Sequence, residues 1–141
     1  LGIFACIFLM KKQKIFFENI NELSGLSKNR PILSFGFLIL LFSLAGIPPL
    51  AGFFAKFYVF MAVIESDMYT LAIIGLITTV ISAFYYLRII KIIYFDSPKT
   101  SFDESKDLGV KISLTISCVL VLFYFLSPTL LIDLISFIKV N

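Results

Sequence analysis

One lysine stands out as a residue that could do chemistry. Residues 31–64 form an apolar stretch of 34 positions whose one charged side chain is Lys56. An ammonium inside a membrane span costs about 2.5–3.5 kcal/mol on insertion scales, so such a residue usually has a function. Because desolvation destabilises the charged form of an amine, a lysine there could take up and release a proton. The pattern therefore predicts a proton-translocation site at Lys56.

A proline pair about two helical turns before Lys56 predicts a broken helix. Pro48 and Pro49 lack the N–H groups that would bond the carbonyls of Leu44 and Ala45. Two carbonyls are then left without helical partners near mid-membrane, where only protein or a water-filled cavity can satisfy them. Broken helices in transporters place ion sites near such interruptions. We therefore expect Lys56 to face the protein interior beside the break.

An alternative for the same lysine is that it snorkels to the membrane edge. Ile64, at the expected edge, is eight residues away, or about 12 Å of helix. Tyr58 and Glu65 are candidates to line a channel, with Glu65 near its exit. Glu65 is equally compatible with a solvated outer turn, and Tyr58 with ordinary bonding between helices. Ser43 and Ser82, like Tyr58, could either hydrogen-bond water near the channel or bond neighbouring helices.

The composition is that of a membrane protein. Of 141 residues, 60% are hydrophobic and 15% charged, and the mean hydropathy is +1.02. The net charge of +3 and the lack of a basic cluster mixed with aromatics argue against nucleic-acid binding. Neither Cys6 nor Cys118 belongs to a CxxC motif or a Cys/His cluster, so neither a metal site nor a disulfide framework is indicated. The absence of histidine excludes His-ligated haem, His-dependent triads and HExxH zinc chemistry.

The apolar runs predict an all-α fold, a polytopic transmembrane helix bundle with three full spans and the end of a fourth, one helix being broken at Pro48-Pro49. Residues 11–30 are expected to form either a short interfacial helix or an irregular loop. Because the chain begins at Leu1 inside an apolar stretch, we expect a fragment or a split subunit. The predicted segments are the end of a truncated transmembrane helix (1–10), an inner-side loop (11–30), the broken transmembrane helix (31–64), a transmembrane helix (68–91), an inner-side loop (92–107), a transmembrane helix (108–132) and an outer-side tail (133–141).

The distribution of Lys and Arg predicts the orientation. Residues 11–30 carry five such side chains and residues 88–111 carry another five, whereas residues 65–67 carry none. By the positive-inside rule the first two regions face the cytoplasm or matrix and the third faces outward. The carboxyl terminus then lies outside, although Lys139 is a minor contradiction.

The segment FSLAGIPPLAGFFAKFYVF at residues 42–60 resembles the broken twelfth transmembrane helix of a known family. That family is subunit 2, the N-type antiporter-like subunit, of respiratory complex I. GLSKNRP at Gly25 to Pro31, YYLRI at Tyr85 to Ile89 and an acidic-polar loop before the last span agree with it. The resemblance covers essentially the whole chain, as the carboxyl-terminal third of a fourteen-helix protein. Related antiporter-like subunits share the break, but the subunit 4 type usually has glutamate where this chain has Lys56.

The resemblance implies a membrane-arm subunit of proton-pumping NADH:quinone oxidoreductase, in which Lys56 matches the lysine of the distal half-channel. It implies a non-redox subunit that binds no cofactor, with NAD, FMN, iron-sulfur clusters and quinone elsewhere in the whole complex. The implied partners are the other membrane-arm subunits, the missing amino-terminal part and the lipid of an energy-transducing inner membrane, mitochondrial or bacterial. Two alternatives stay open: a subunit of a multi-subunit cation/proton antiporter, and a purely structural membrane anchor.

Overall fold

The fold is an all-α bundle with a small sheet in its polar connections. The computed structural model describes residues 1–12, 15–16, 19–98, 103–104 and 107–126. A 3₁₀ helix at Ile20–Leu23 accompanies the main elements. The helices are α1 (Gly2–Leu9), α2 (Leu26–Asn29), α3 (Pro31–Ala45), α4 (Ala51–Glu65), α5 (Tyr69–Phe95) and α6 (Leu108–Leu126), and the strands are β1 (Met10–Lys12), β2 (Ile15–Phe16) and β3 (Asp103–Glu104).

The broken helix consists of α3 and α4, which are separated by residues 46–50. Gly46 ends α3 with a left-handed φ of 84°. The Gly46 N–H bonds the Ser43 carbonyl at 3.0 Å, and the Ile47 N–H bonds the Phe42 carbonyl at 3.0 Å. This pair of bonds is the Schellman motif that commonly closes a helix before a proline. The 34-residue apolar stretch is therefore two helices of 15 residues each rather than one long rod.

The core lies where α1, α3, α6 and the carboxyl-terminal half of α5 meet. Its members include Cys6, Phe37, Ile93 and Leu114. In contrast, α4 contains no buried residue and much of α5 exposes apolar side chains. Within the described part of the chain, α5 is the one helix that meets the length and composition of a membrane span by itself, and α3 and α6 are shorter apolar helices.

The two polar connections meet at one end of the bundle. Strand β1 pairs with β2 and with β3, so that Met10 lies opposite Glu104. On the same side, the Gly25 N–H bonds the Ile92 carbonyl at 3.2 Å. The described part of residues 11–30 therefore contains the end of β1, strand β2, the 3₁₀ helix and the short α2.

One helix boundary differs from the predicted segments. Helix α5 continues to Phe95, beyond the expected end at Lys91. It does so because Ile92 and Ile93 are buried in the core, with 8% and 0% of their surface exposed, and hydrophobic burial favours the continued helix. The expected end of the last span at Ile132 and the tail at 133–141 lie outside the described residues.

Candidate functional site

Lys56 lies in the second turn of α4, and its side chain reaches back across the break to α3. Its Nζ atom donates hydrogen bonds to the Leu44 carbonyl at 2.9 Å and to the Ala45 carbonyl at 3.2 Å. These are the two carbonyls that the proline pair leaves without helical N–H partners. The interruption and the lysine therefore form one site, in which the ammonium satisfies the open end of α3.

The electrostatics of this contact favour a positive charge. The carboxyl-terminal end of a helix carries roughly half a negative elementary charge from its aligned peptide dipoles. The Lys56 ammonium lies at that end of α3 and donates to two of its last carbonyls. Hydrogen bonds from a charged donor are about twice as strong as neutral ones. The end of α3 and the Lys56 ammonium group are therefore electrostatically complementary.

A second contact closes the break beside the lysine. The Gly52 N–H in the first turn of α4 donates to Ser43 Oγ at 3.0 Å, and Ser43 is buried. The first amides of a helix have no partner inside the helix, so this bond satisfies one of them. The approach is close, because a Cβ atom at Gly52 would overlap the Ser43 carbonyl oxygen. Ser43 and Gly52 together hold the start of α4 against the end of α3.

Gly46 forms the surface on which the stem of Lys56 lies. A Cβ atom added at Gly46 would be 3.1 Å from Lys56 Cδ and 3.3 Å from Lys56 Nζ. The positive φ of Gly46 also favours glycine, because L side chains rarely adopt that conformation. A glycine here thus serves both the turn that ends α3 and the passage of the lysine side chain.

Aromatic and small residues position α4 against its neighbours. The Phe54 ring lies 5.6 Å from the Tyr124 ring of α6. On the side of α5, a Cβ atom at Gly75 would be 2.7 Å from the ring of Phe60, so the two helices are in close contact there. These contacts hold α4 against α5 and α6.

The other predicted channel residues lie apart from Lys56. Tyr58 is two positions further along α4, or about 200° around the helix, and its exposed ring contacts Phe57 at 5.9 Å. Glu65 is the exposed last residue of α4, about 13 Å along the axis from Lys56. Ser82 Oγ donates to the Thr78 carbonyl at 2.9 Å within α5. A channel-lining role for Tyr58 and Glu65 stays a prediction.

Sequence reasoning found the lysine and the break but missed how they are joined. Ser43 was a candidate for bonding water, whereas the structure gives it the Gly52 amide. The local signal for this pairing was weak, because a serine near a helix end bonds many kinds of partner. Among the described residues, no group of three or more His, Cys, Asp or Glu side chains comes together as a metal would need.

Comparison with known proteins identifies the family. The family model described as "NADH:quinone oxidoreductase/Mrp antiporter, TM" matches residues 1–82. NADH-quinone oxidoreductase subunit N of Pelagibacter ubique is 56% identical over 140 residues, which are 99% of this chain and 30% of that protein. The subunit N of Parvibaculum lavamentivorans is 50% identical over 93% of this chain and 27% of its own length. The chain thus spans about 30% of the length of this first relative.

A solved structure agrees with these relatives. Respiratory complex I from Thermus thermophilus with bound aureothin contains a chain that superposes with a TM-score of 0.79 at 26% identity. The match covers 94% of this chain and 30% of the other. The fold, the broken helix and the sequence matches together assign the chain to the family of transmembrane proteins formed by NADH:quinone oxidoreductase antiporter-like subunits and Mrp antiporters.

Proposed function

We propose that this chain is the carboxyl-terminal part of an N-type membrane-arm subunit of proton-pumping NADH:quinone oxidoreductase, and that Lys56 carries a proton through it. The observation that supports this role most directly is the pair of hydrogen bonds from Lys56 Nζ to the Leu44 and Ala45 carbonyls across the break. The relatives named subunit N support the assignment to the respiratory enzyme.

The site suggests how the proton is held and released. While α3 and α4 are in contact, the ammonium has two carbonyl acceptors and the negative end of the α3 dipole. If the two half-helices separate at residues 46–50, both interactions are lost. We propose that this separation is the step at which Lys56 passes its proton on, and that renewed contact is the step at which it receives the next one.

The remaining parts of the assignment concern the whole complex. This chain would be a non-redox subunit, with NAD, FMN, iron-sulfur clusters and quinone bound by other subunits. The exposed apolar surfaces of α4 and α5 would contact lipid, the amino-terminal part of the subunit and neighbouring membrane-arm subunits. The location would be an energy-transducing inner membrane, with the Lys/Arg-rich connections on the cytoplasmic or matrix side.

Three variants in the native complex test the role of Lys56. Lys56→Met removes the charge and the donor, Lys56→Arg keeps both but cannot lose its proton under these conditions, and Lys91→Met removes a charge from the exposed surface of α5. Assembly is followed by co-purification of the complex. NADH-driven quinone reduction and proton uptake into sealed vesicles are then measured together.

We expect both Lys56 variants to assemble and to lose most of their proton pumping, while the Lys91→Met variant pumps normally. If Lys56 only caps the end of α3, Lys56→Arg retains pumping because arginine also donates to carbonyls. If Lys56 only snorkels, Lys56→Met pumps like the unaltered complex. Either of these results would remove the proton-carrying role.

A cation/proton antiporter subunit is the second candidate, because the matching family includes Mrp antiporters. The composition of the purified complex separates the two functions. Co-purification with flavin and iron-sulfur subunits supports the respiratory enzyme. A complex that contains antiporter subunits and does not oxidise NADH would replace the respiratory assignment and leave the role of Lys56 to be tested by cation exchange.

A further inference from the structure

A separate cavity lies at the end of the bundle where the polar connections meet. Its volume is about 610 Å³, and it is bounded by the end of α1, the junction of α2 with α3, and the start of α6. This volume is within the range of small-molecule sites. The residues of the Lys56 site do not line it. The cavity is therefore a candidate site that the proton-carrying proposal does not use.

Two cations from distant parts of the sequence line this cavity. Arg30 directly precedes α3, and Lys111 lies in the first turn of α6. Asn29 and Thr115 add an amide and a hydroxyl, and no carboxylate is among the described lining residues. Such a set of donors matches an anionic group with several oxygens, of which phosphate is the common example.

Arg30 can serve such a ligand while keeping its contact within the protein. Its Nη1 atom donates to the Leu9 carbonyl at 3.2 Å. A guanidinium carries five N–H donors in a planar fork, so it can hold a backbone carbonyl and a phosphate oxygen together. Leu9 itself lines the cavity, so this hydrogen bond holds the guanidinium beside it.

The rest of the lining is apolar, which favours a lipid over a free anion. Five of the nine described lining residues are hydrocarbon in character: Leu9, Pro31, Ile32, Leu33 and Leu114. Ile32 is 86% exposed at the edge of the site. A free phosphate ion gains nothing from such walls, whereas a phospholipid places its headgroup at the cations and an acyl chain along the hydrocarbon side chains.

We propose that this cavity binds an anionic phospholipid, with the headgroup phosphate held by Arg30 and Lys111 and an acyl chain lying along α3 and α6. Basic pockets between transmembrane helices on the positively charged side of the membrane bind such headgroups. The lipid would tie the beginning of the broken helix to the last helix. This inference is independent of proton transfer by Lys56.

The test uses the native complex in lipid nanodiscs and the variants Arg30→Gln, Lys111→Gln and their combination. Glutamine keeps an N–H donor at each position, and Lys111 is exposed. Unfolding of each variant is compared with that of the unaltered complex, so that a loss of fold is distinguished from a loss of binding. Lys91→Gln, which removes a cation from α5 outside the cavity, is the matched control. Binding of phosphatidylglycerol is titrated against a phosphatidylcholine background, and inorganic phosphate is added alone as a competitor.

We expect the double variant to bind phosphatidylglycerol about tenfold more weakly or worse, because charged hydrogen bonds are lost, and the Lys91→Gln control to bind normally. Unchanged binding in the double variant would overturn the proposal, as would an equal loss in the control. Competition by inorganic phosphate at concentrations comparable to the lipid would show a free-anion site instead. Failure of the unaltered complex to bind the lipid would also overturn the proposal.

Discussion

The close approach of the two half-helices predicts a large effect for Gly52→Ala. Gly52 is the second residue of α4. The added Cβ atom would overlap the Ser43 carbonyl oxygen and lie 2.6 Å from the Ser43 carbonyl carbon and 2.9 Å from Ser43 Oγ. Two of these three atoms belong to the backbone, so a side-chain rotation cannot relieve the clash. The start of α4 must move away from the end of α3.

The expected change in the free energy of unfolding for Gly52→Ala is the sum of three contributions. Overpacking of a close contact costs about 1–3 kcal/mol, and loss of the Gly52–Ser43 hydrogen bond costs about 0.5–1.5 kcal/mol. Alanine in a helix offsets up to about 1 kcal/mol of this cost relative to glycine. We expect a net destabilisation of about 0.5–4.5 kcal/mol. Because Lys56 bonds the carbonyls at the same junction, the movement should also weaken those bonds and reduce proton pumping.

Gly109→Ala is the matched control. Gly109 is the second residue of α6, and a Cβ atom there would meet nothing within 4 Å. The same chemical change should then stabilise the protein by up to about 1 kcal/mol through helix propensity. The two variants therefore change the free energy of unfolding in opposite directions, although both convert glycine to alanine at the start of a helix.

The free energy of unfolding of the full-length subunit is measured by steric trapping in lipid bicelles. Proton pumping is measured with the assembled complex. Equal free energies for Gly52→Ala and Gly109→Ala, with normal pumping in both, would refute the close contact between the half-helices. A loss of stability without a loss of pumping would support the close contact but show that proton pumping does not depend on it.

Two further changes probe the same junction. Ser43→Ala leaves the Gly52 amide without its acceptor and should cost about 1–3 kcal/mol. Ser34→Ala should cost less; this control changes another buried serine of α3, whose hydroxyl donates to the Arg30 carbonyl just before the helix. Hydrogen exchange of the amides in the first turn of α4 distinguishes the two variants, and equal protection in both would contradict a stabilising bond between Ser43 and Gly52. Gly46→Ala puts a side chain at a φ of 84° and 3.3 Å from Lys56 Nζ, so we expect about 1–2 kcal/mol of destabilisation and slower pumping, measured by unfolding and by vesicle acidification; normal values for both would exclude strain at this position.

Several features of this protein could be predicted from the sequence because short-range rules govern them. The long apolar runs indicate membrane helices through length and composition alone. The interruption follows from Pro48 and Pro49, because a missing N–H and a steric clash act within one helical turn. The motif around Lys56 also carries enough specific residues for the family to be recognised, and the comparisons confirm that family.

Hydrogen-bond and strand partners that lie far apart in the sequence could not be predicted in the same way. Local rules identify the Leu44 and Ala45 carbonyls as lacking helical donors, yet many groups could satisfy them, and the answer depends on how α4 packs against α3. The same holds for strand β1, since its pairing with β3 joins residues more than ninety positions apart.

The sequence by itself therefore determined the kind of helices and the place of the break, and it singled out Lys56 as the charged residue beside that break, because covalent geometry and hydrophobicity act over a few residues. Tertiary structure alone decided that Lys56 closes the end of α3, that Ser43 bonds Gly52, and that Arg30 and Lys111 line one cavity. These contacts depend on helix packing directions, which small differences among many dispersion and steric terms determine.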